Sequence, residues 1–188
     1  MTRPITLDEY FRLADRPPQV ELVFGFLRDA PPLAPEHIEY VRRVQSALEE
    51  HLQQHHLGEL RATPINLVLP SDEPSALVLH PAIAVVLHDR QHILRDRTFW
   101  GAPHLVVEVL TPRSARRTRC TKMRWYRGFG VQECWCIDVR HHRFEVLDLQ
   151  GDRALPHIYS GRSAIRSRVL PSFRFNPSRV FSASRKRA

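Results

Sequence analysis

His104-Leu105-Val106-Val107-Glu108-Val109-Leu110 reads as a β-strand, and it decides the fold because an acid stands in the middle of it. A run of leucine and valine fits a strand covered on both faces. An ionised carboxylate in such a place is costly unless a cation or hydrogen-bond donors compensate it. If one face of the strand meets solvent the cost disappears, and the run by itself leaves that alternative open. The residues that follow bear on the choice. From Thr111 to Gln132 the chain has no acid, but it has Arg113, Arg116, Arg117, Arg119, Lys122, Arg124 and Arg127. Read as a helix from about Arg116 to Phe129, the stretch sets Arg117, Lys122 and Arg124 on or near one side. Such a cluster suits a phosphate backbone, where each contact adds affinity without reading sequence. A merely solvated basic face is the plain alternative. An acid in a strand and a basic helix one short loop away are the parts needed to hold a metal against a phosphodiester.

Outward from this pair, helices and strands interleave. Thr6 caps a short expected helix from about Leu7 to Ala14, with Asp8 and Glu9 in its first turn. Val20 to Leu27 reads as a hairpin turning at Gly25. From Glu36 to about His56, Ile38, Val41, Val44, Leu48 and Leu52 form one apolar stripe, with Arg42, Arg43, Glu49 and Glu50 outward, and Gly58 is the expected stop. Strand-like runs follow at Glu59–Ala62, Ile65–Leu69 and Ala76–Leu87. Glu133–Val139 and Arg143–Leu149 read as a second hairpin, and short pieces around Ile158 and Val169–Leu170 complete the pattern. The expectation is an α/β (α+β) domain with a central mixed β-sheet flanked by helices. It occupies residues 1–181 as one unit, with a basic, frayed tail over 182–188.

Composition narrows the function classes. The chain has 188 residues, 43% hydrophobic and 26% charged, which is ordinary for one globular domain. The Ala76–Leu87 run is too short to span a bilayer, so a membrane role is not expected. A formal net charge of +8 favours an anionic partner, nucleic acid being the commonest. Cys120, Cys134 and Cys136 fit free thiols in a reducing, cytoplasmic setting. Cys134 and Cys136 are too closely spaced for a zinc knuckle, and in a strand they share one face as small hydrophobes.

Five segments together resemble the restriction-endonuclease family known as Uma-two, a branch of the PD-(D/E)XK nucleases. They are Val20-Glu21-Leu22-Val23; Pro35-Glu36-His37; His80-Pro81-Ala82-Ile83; Leu105 through Pro112; and Lys122 with Tyr126, Gly130-Val131, Glu133 and Trp135 through Asp138. The resemblance implies a restriction-endonuclease-like core and metal-dependent hydrolysis of DNA with Mg²⁺ or Mn²⁺. It gives Glu108 the place of the second metal-binding acid, Lys122 that of the catalytic lysine, and Glu21 that of a supporting ligand or water-orienting group. It also implies a homodimer, since cutting both strands of a duplex favours two-fold symmetry. The departure is at Ala82, where the family pattern has proline followed by the first metal-binding aspartate. Phe24, Phe26 and Thr118 likewise stand where acids are usual.

His80 is the nearest candidate substitute for the lost ligand, about 6.8 Å from position 82 if both lie on one strand. A set of Glu21, His80 and Glu108 would suit Mn²⁺ or Zn²⁺ better than Mg²⁺. His37 could approach such a site, cap its helix or lie on the surface. Three readings therefore leave the sequence together: an impaired DNA endonuclease, an inactive nucleic-acid-binding relative that grips phosphates through Arg113, Arg116, Arg117, Arg119, Arg124 and Arg127, and a non-catalytic dimerisation scaffold.

Overall fold

The computed structural model describes residues 3–13, 20–29, 34–69, 76–111, 121–151 and 155–182. Within them the mixed α+β architecture holds, with the sheet divided into two. The first contains β1 (Val20–Val23), β2 (Phe26–Asp29), β4 (Asn66–Leu69), β5 (Leu77–Leu79), β7 (Leu94–Arg95) and β8 (Thr98–Trp100), in the order β2-β1-β5-β4-β8-β7. The second contains β3 (Gly58–Ala62), β6 (Ile83–Leu87), β9 (Leu105–Leu110), β10 (Glu133–Asp138), β11 (Arg143–Asp148) and β12 (His157–Ser160), in the order β12-β11-β10-β9-β6-β3. Each is mixed: β4 and β8 run parallel in the first, β9 and β10 in the second.

The division falls inside the run expected as a single strand, Ala76–Leu87. Proline has no N–H to give a ladder. At His80-Pro81 the chain leaves the first sheet, where Leu77–Leu79 pair with β1 and β4, and enters the second, where Ile83–Leu87 pair with β3 and β9. His80 and Ala82 consequently do not share a strand face.

Side-chain alternation sorts the core into layers. Leu22, Val68 and Val78 face α1 (Leu7–Arg12) and pack around its Tyr10. Thr6 and Glu9 close a reciprocal capping box on that helix. Val23, Leu67, Leu77 and Leu79 face the other way and meet Ala84, Val86, Val106 and Leu110 of the second sheet. Met123 and Tyr126 of α3 (Met123–Gly128) join this inter-sheet core. On the far face of the second sheet, Leu105, Val107, Val109 and Trp135 pack under α2 (Pro35–Gln54) and the C-terminal segment, which ends in α4 (Ser178–Phe181).

Local readings differ in instructive ways. Val41, Val44, Leu48 and Leu52 are buried as the stripe requires, but Ile38, on the open first turn, is 52% exposed. Gly58 does not cap α2, which ends at Gln54 with His56 at φ 49°. Gly58 instead opens β3 at φ +154°, where an added Cβ would lie 2.1 Å from the Val86 carbonyl oxygen. The N-cap of α2 is Ala34 and no side chain caps it, so His37 does not do so. Val169 and Leu170 are bends rather than strand. Of the expected basic helix, 112–120 lies outside the described residues; the described part is a wide π-type turn at 121–122 running into α3. The tail beyond Ser182 also lies outside. Among the described residues no helix is long and apolar enough to cross a membrane.

Candidate active site

β1 and β9 belong to different sheets, and the same alternation turns one acid from each into the space between them. On β1, Leu22 faces α1, so Glu21 and Val23 face inward. On β9, Val107 and Val109 face α2, so Val106, Glu108 and Leu110 face inward. The π-type turn at the head of α3 delivers Lys122 between them. Its Nζ lies 2.8 Å from Glu21 Oε1 and 2.9 Å from Glu108 Oε1. One turn on, Tyr126 donates its hydroxyl to the same Glu108 oxygen at 2.5 Å. The His80 backbone N–H donates to Glu21 Oε1 at 3.2 Å. Glu21 is wholly buried, and Glu108 and Lys122 nearly so.

The buried acid in β9 is thus compensated by one ammonium shared with Glu21 and by the Tyr126 hydroxyl, while Glu21 keeps the His80 amide as its own neutral donor. Burial alone would push the lysine toward its neutral form. The charges of Glu108 and Glu21, with their hydrogen bonds, outweigh that and raise its pKa above the ordinary 10.5. Tyr126 is also raised well above its ordinary value, first by burial and then by the Glu108 charge, so it is a hydrogen-bond donor and not a phenolate. On β10, Cys134 and Cys136 face the same space with their sulfurs 4.0 Å apart, and Cys136 stands in register with Glu108. Burial and the neighbouring Cys136 raise the Cys134 thiol well above its usual range, which suits a packed, protonated group.

The other sequence candidates fall elsewhere. Ala82 donates its N–H to the Val107 carbonyl at 2.9 Å and is packed in the apolar cluster beneath α2. The His80 ring meets the Tyr10 hydroxyl, with Nε2 at 3.3 Å, and that hydroxyl donates to the Val20 carbonyl at 2.7 Å. Arg124 and Arg127 are exposed on α3, Arg127 donating to the Gly151 carbonyl. Arg113, Arg116, Arg117 and Arg119 lie outside the described residues. Among the described residues no three His, Cys, Asp or Glu side chains converge as a metal-binding group. The described donor set therefore does not fit a resident divalent metal: both carboxylates already share one ammonium, and no third ligand among the described residues stands beside them.

Two residues acquire roles that the sequence reading did not give them. Tyr126, one helical turn after Lys122, was legible as a neighbour of that lysine by spacing alone. Glu133 is buried at the start of β10, where it accepts from the Trp135 indole N–H and from the backbone N–H groups of Arg168 and Val169. It ties the C-terminal segment to the second sheet, and no local signal in the sequence announces that.

A strand acid and a lysine at the head of α3, buried together between two mixed sheets flanked by helices, fit a restriction-endonuclease-like fold. The chain belongs to the Uma2 family, described as putative restriction endonucleases, whose sequence model matches residues 7–178. Among solved structures it is similar to a putative nuclease belonging to DUF820 from Anabaena variabilis. The TM-score is 0.78 at 19% identity, over 95% of this chain and 98% of that one. No curated protein matches the chain.

Proposed function

We propose that this protein is a nuclease-fold relative that engages DNA but has impaired metal-dependent phosphodiester hydrolysis. The observation that carries the reading is the clamp itself. Glu21 and Glu108 share the Lys122 ammonium, while the position of the family's first acid is Ala82, packed with apolar neighbours. Magnesium is commonly held by one or two carboxylates with water and phosphate, so losing one of two acids weakens such a site severely. Glu108, Lys122 and Glu21 keep the site's polar frame in this reading. The exposed Arg124 and Arg127, with Arg113, Arg116, Arg117 and Arg119, supply phosphate contacts. The reading includes a cytoplasmic setting and a homodimer.

The test is plasmid nicking in Mg²⁺ and in Mn²⁺ by the wild type, Glu108→Ala and Ala82→Asp, beside a low-salt gel shift. The expected result is a shift by all three proteins with little or no cleavage by the wild type. Efficient wild-type cleavage that Glu108→Ala abolishes would overturn the impairment. A failure to shift DNA at low salt would overturn the nucleic-acid reading altogether.

A further inference from the structure

The chain's positive charge is unevenly placed. Of its 28 Lys and Arg, nine follow Asp152, and of its 20 Asp and Glu none does, so the rest of the chain is close to neutral. Five of the nine, Arg162, Arg166, Arg168, Arg174 and Arg179, lie among the described residues, and all are exposed.

The segment that carries them is fixed although it has almost no regular structure. Ile165, Ser167, Val169, Phe173 and Phe175 turn inward, while Arg166, Arg168 and Arg174 alternate outward. Ile165 pairs with Phe175, and the Glu133 carboxylate holds the amides of Arg168 and Val169. The arginines therefore project from an anchored strip beside α2. They are also poorly neutralised. Arg168 pairs with Asp148 at 2.7 Å, but Arg162, Arg166, Arg174 and Arg179 have no ion pair with any described acid. Among the described residues Arg174 bonds only the carbonyls of Pro171 and Phe173, and Arg179 lies over the Phe175 ring, 5.3 Å from its centre.

Where the strip meets α2 there is a cleft of about 250 Å³ lined by Arg42, Arg43, Ser46, Glu50 and Arg179, with Phe175 at its floor. Arg43 is braced by the Val180 and Ser182 carbonyls and, with Arg42, by Glu39. Glu50 is the one acid in the lining, against three guanidinium groups.

We propose that this strip, together with Arg42 and Arg43, is a second binding face for the phosphate backbone of nucleic acid, one phosphate seating in the cleft between Arg42 and Arg179. Guanidinium forks match phosphate oxygens in geometry as well as charge. The strip's large apolar side chains, Ile165, Val169, Leu170, Phe173 and Phe175, are buried, so the face offers charge with little exposed apolar surface. That fits a uniformly charged rod better than an acidic peptide. The face lies on the α2 side of the second sheet, and Glu108 faces the other side, so the inference stands apart from the reading of the clamp.

The test is fluorescence anisotropy of a labelled duplex of about 20 base pairs with the full chain, titrated between about 50 and 200 mM salt. The proteins are the wild type, R162S/R166S/R174S/R179S and R124S/R127S. Each lost phosphate contact removes roughly 0.9 from the slope of log affinity against log salt, so the quadruple variant should lose roughly 3 to 4. Because Arg179 covers an aromatic ring, R162Q/R166Q gives a milder version, expected to lose roughly 2, with thermal melts confirming the fold. A wild-type slope and affinity in both strip variants would overturn the proposal, as would equal competition by polyglutamate and DNA at matched charge. Loss of binding in R124S/R127S with the strip variants unaffected would also overturn it, while leaving DNA engagement at the α3 side standing.

Discussion

Replacing Lys122 with methionine should expose what the clamp contributes. The lysine Nζ makes contacts of 2.8 and 2.9 Å to two carboxylates whose side chains are 0% and 7% exposed. Breaking a buried pair by removing one partner costs about 3–5 kcal/mol, because the charge left behind is uncompensated. Here two are left behind, but each keeps a donor: Tyr126 on Glu108 and the His80 amide on Glu21. That places the expected loss near the lower end, about 3 kcal/mol. For a domain of this size the melting temperature should fall by roughly 6–12 °C.

The pH dependence supplies a sign. In the wild type the lysine pKa is raised, so its contribution is complete below the ordinary 10.5 and is lost only as pH rises through the higher folded value. This interaction therefore gives no slope between pH 6 and 9. In Lys122→Met, acidification from about pH 8 to 5 should recover part of the loss, because a proton then offsets the repulsion the ammonium had offset. Adding Glu108→Gln should do the same at neutral pH. Urea unfolding at several pH values measures all of this. A loss under about 1 kcal/mol, the range of an exposed pair, would refute the buried clamp.

Other expectations follow from the same contacts. Glu133→Ala leaves the Arg168 and Val169 amides and the Trp135 indole without their acceptor. At about 1–3 kcal/mol for each buried donor it should destabilise strongly, and hydrogen exchange should speed up first around residues 165–175. His104 Nδ1 accepts from the Leu87 N–H at 3.1 Å, and burial lowers the pKa of this histidine despite Asp89 beside it. Its contribution is present above the ordinary 6.5 and lost as pH falls through the lowered folded value, so His104→Asn should flatten the acid limb of a melting-temperature profile. Gly58→Ala sets a Cβ against the Val86 carbonyl at a φ that only glycine adopts easily. A loss of several kcal/mol in urea unfolding is expected, and near-wild-type stability would contradict the close antiparallel pairing of β3 with β6 at Gly58.

Much of the fold was legible because periodicity carries it. The α2 stripe from Val41 to Leu52 and both hairpins follow from apolar spacing and turn residues. Glu108 stood out because its neighbours do not tolerate charge. The split into two sheets was not legible in the same way: Leu77–Leu79 and Ile83–Leu87 are equally apolar, and only Pro81 marks the handover. Ile38 shows the opposite failure, since a pattern fixes which face of a helix is apolar but not whether anything covers its first turn. The role of Glu133 depends on amides 35 and 36 residues away, a contact no local pattern encodes. The C-terminal arginines were passed over because they are scattered singly among apolar residues, whereas those after Thr111 form a visible run.

The alanine at position 82 also changes the meaning of the lysine. With a third acid beside them, Glu21 and Glu108 would leave one ammonium heavily outweighed, and only an added cation could hold three buried carboxylates together. With Ala82 the balance is two carboxylates against one ammonium, and the remaining charge is spread over the Tyr126 hydroxyl and the His80 amide. The clamp is then tolerable as it stands. On the proposed reading, in which position 82 is that of a lost acid, the loss would do more than remove a ligand: it would let Lys122 serve Glu21 and Glu108 as their internal counter-ion, with Ala82 itself packed in the apolar cluster beneath α2. On this account the charge tolerance and any residual metal affinity of the site are opposed. Ala82→Asp, if its carboxylate reaches the clamp, should lower stability in chelator and regain it on adding Mn²⁺, whereas the wild type should respond to neither. Equal melting temperatures for the two proteins with and without metal would separate position 82 from the clamp and remove the basis for this coupling.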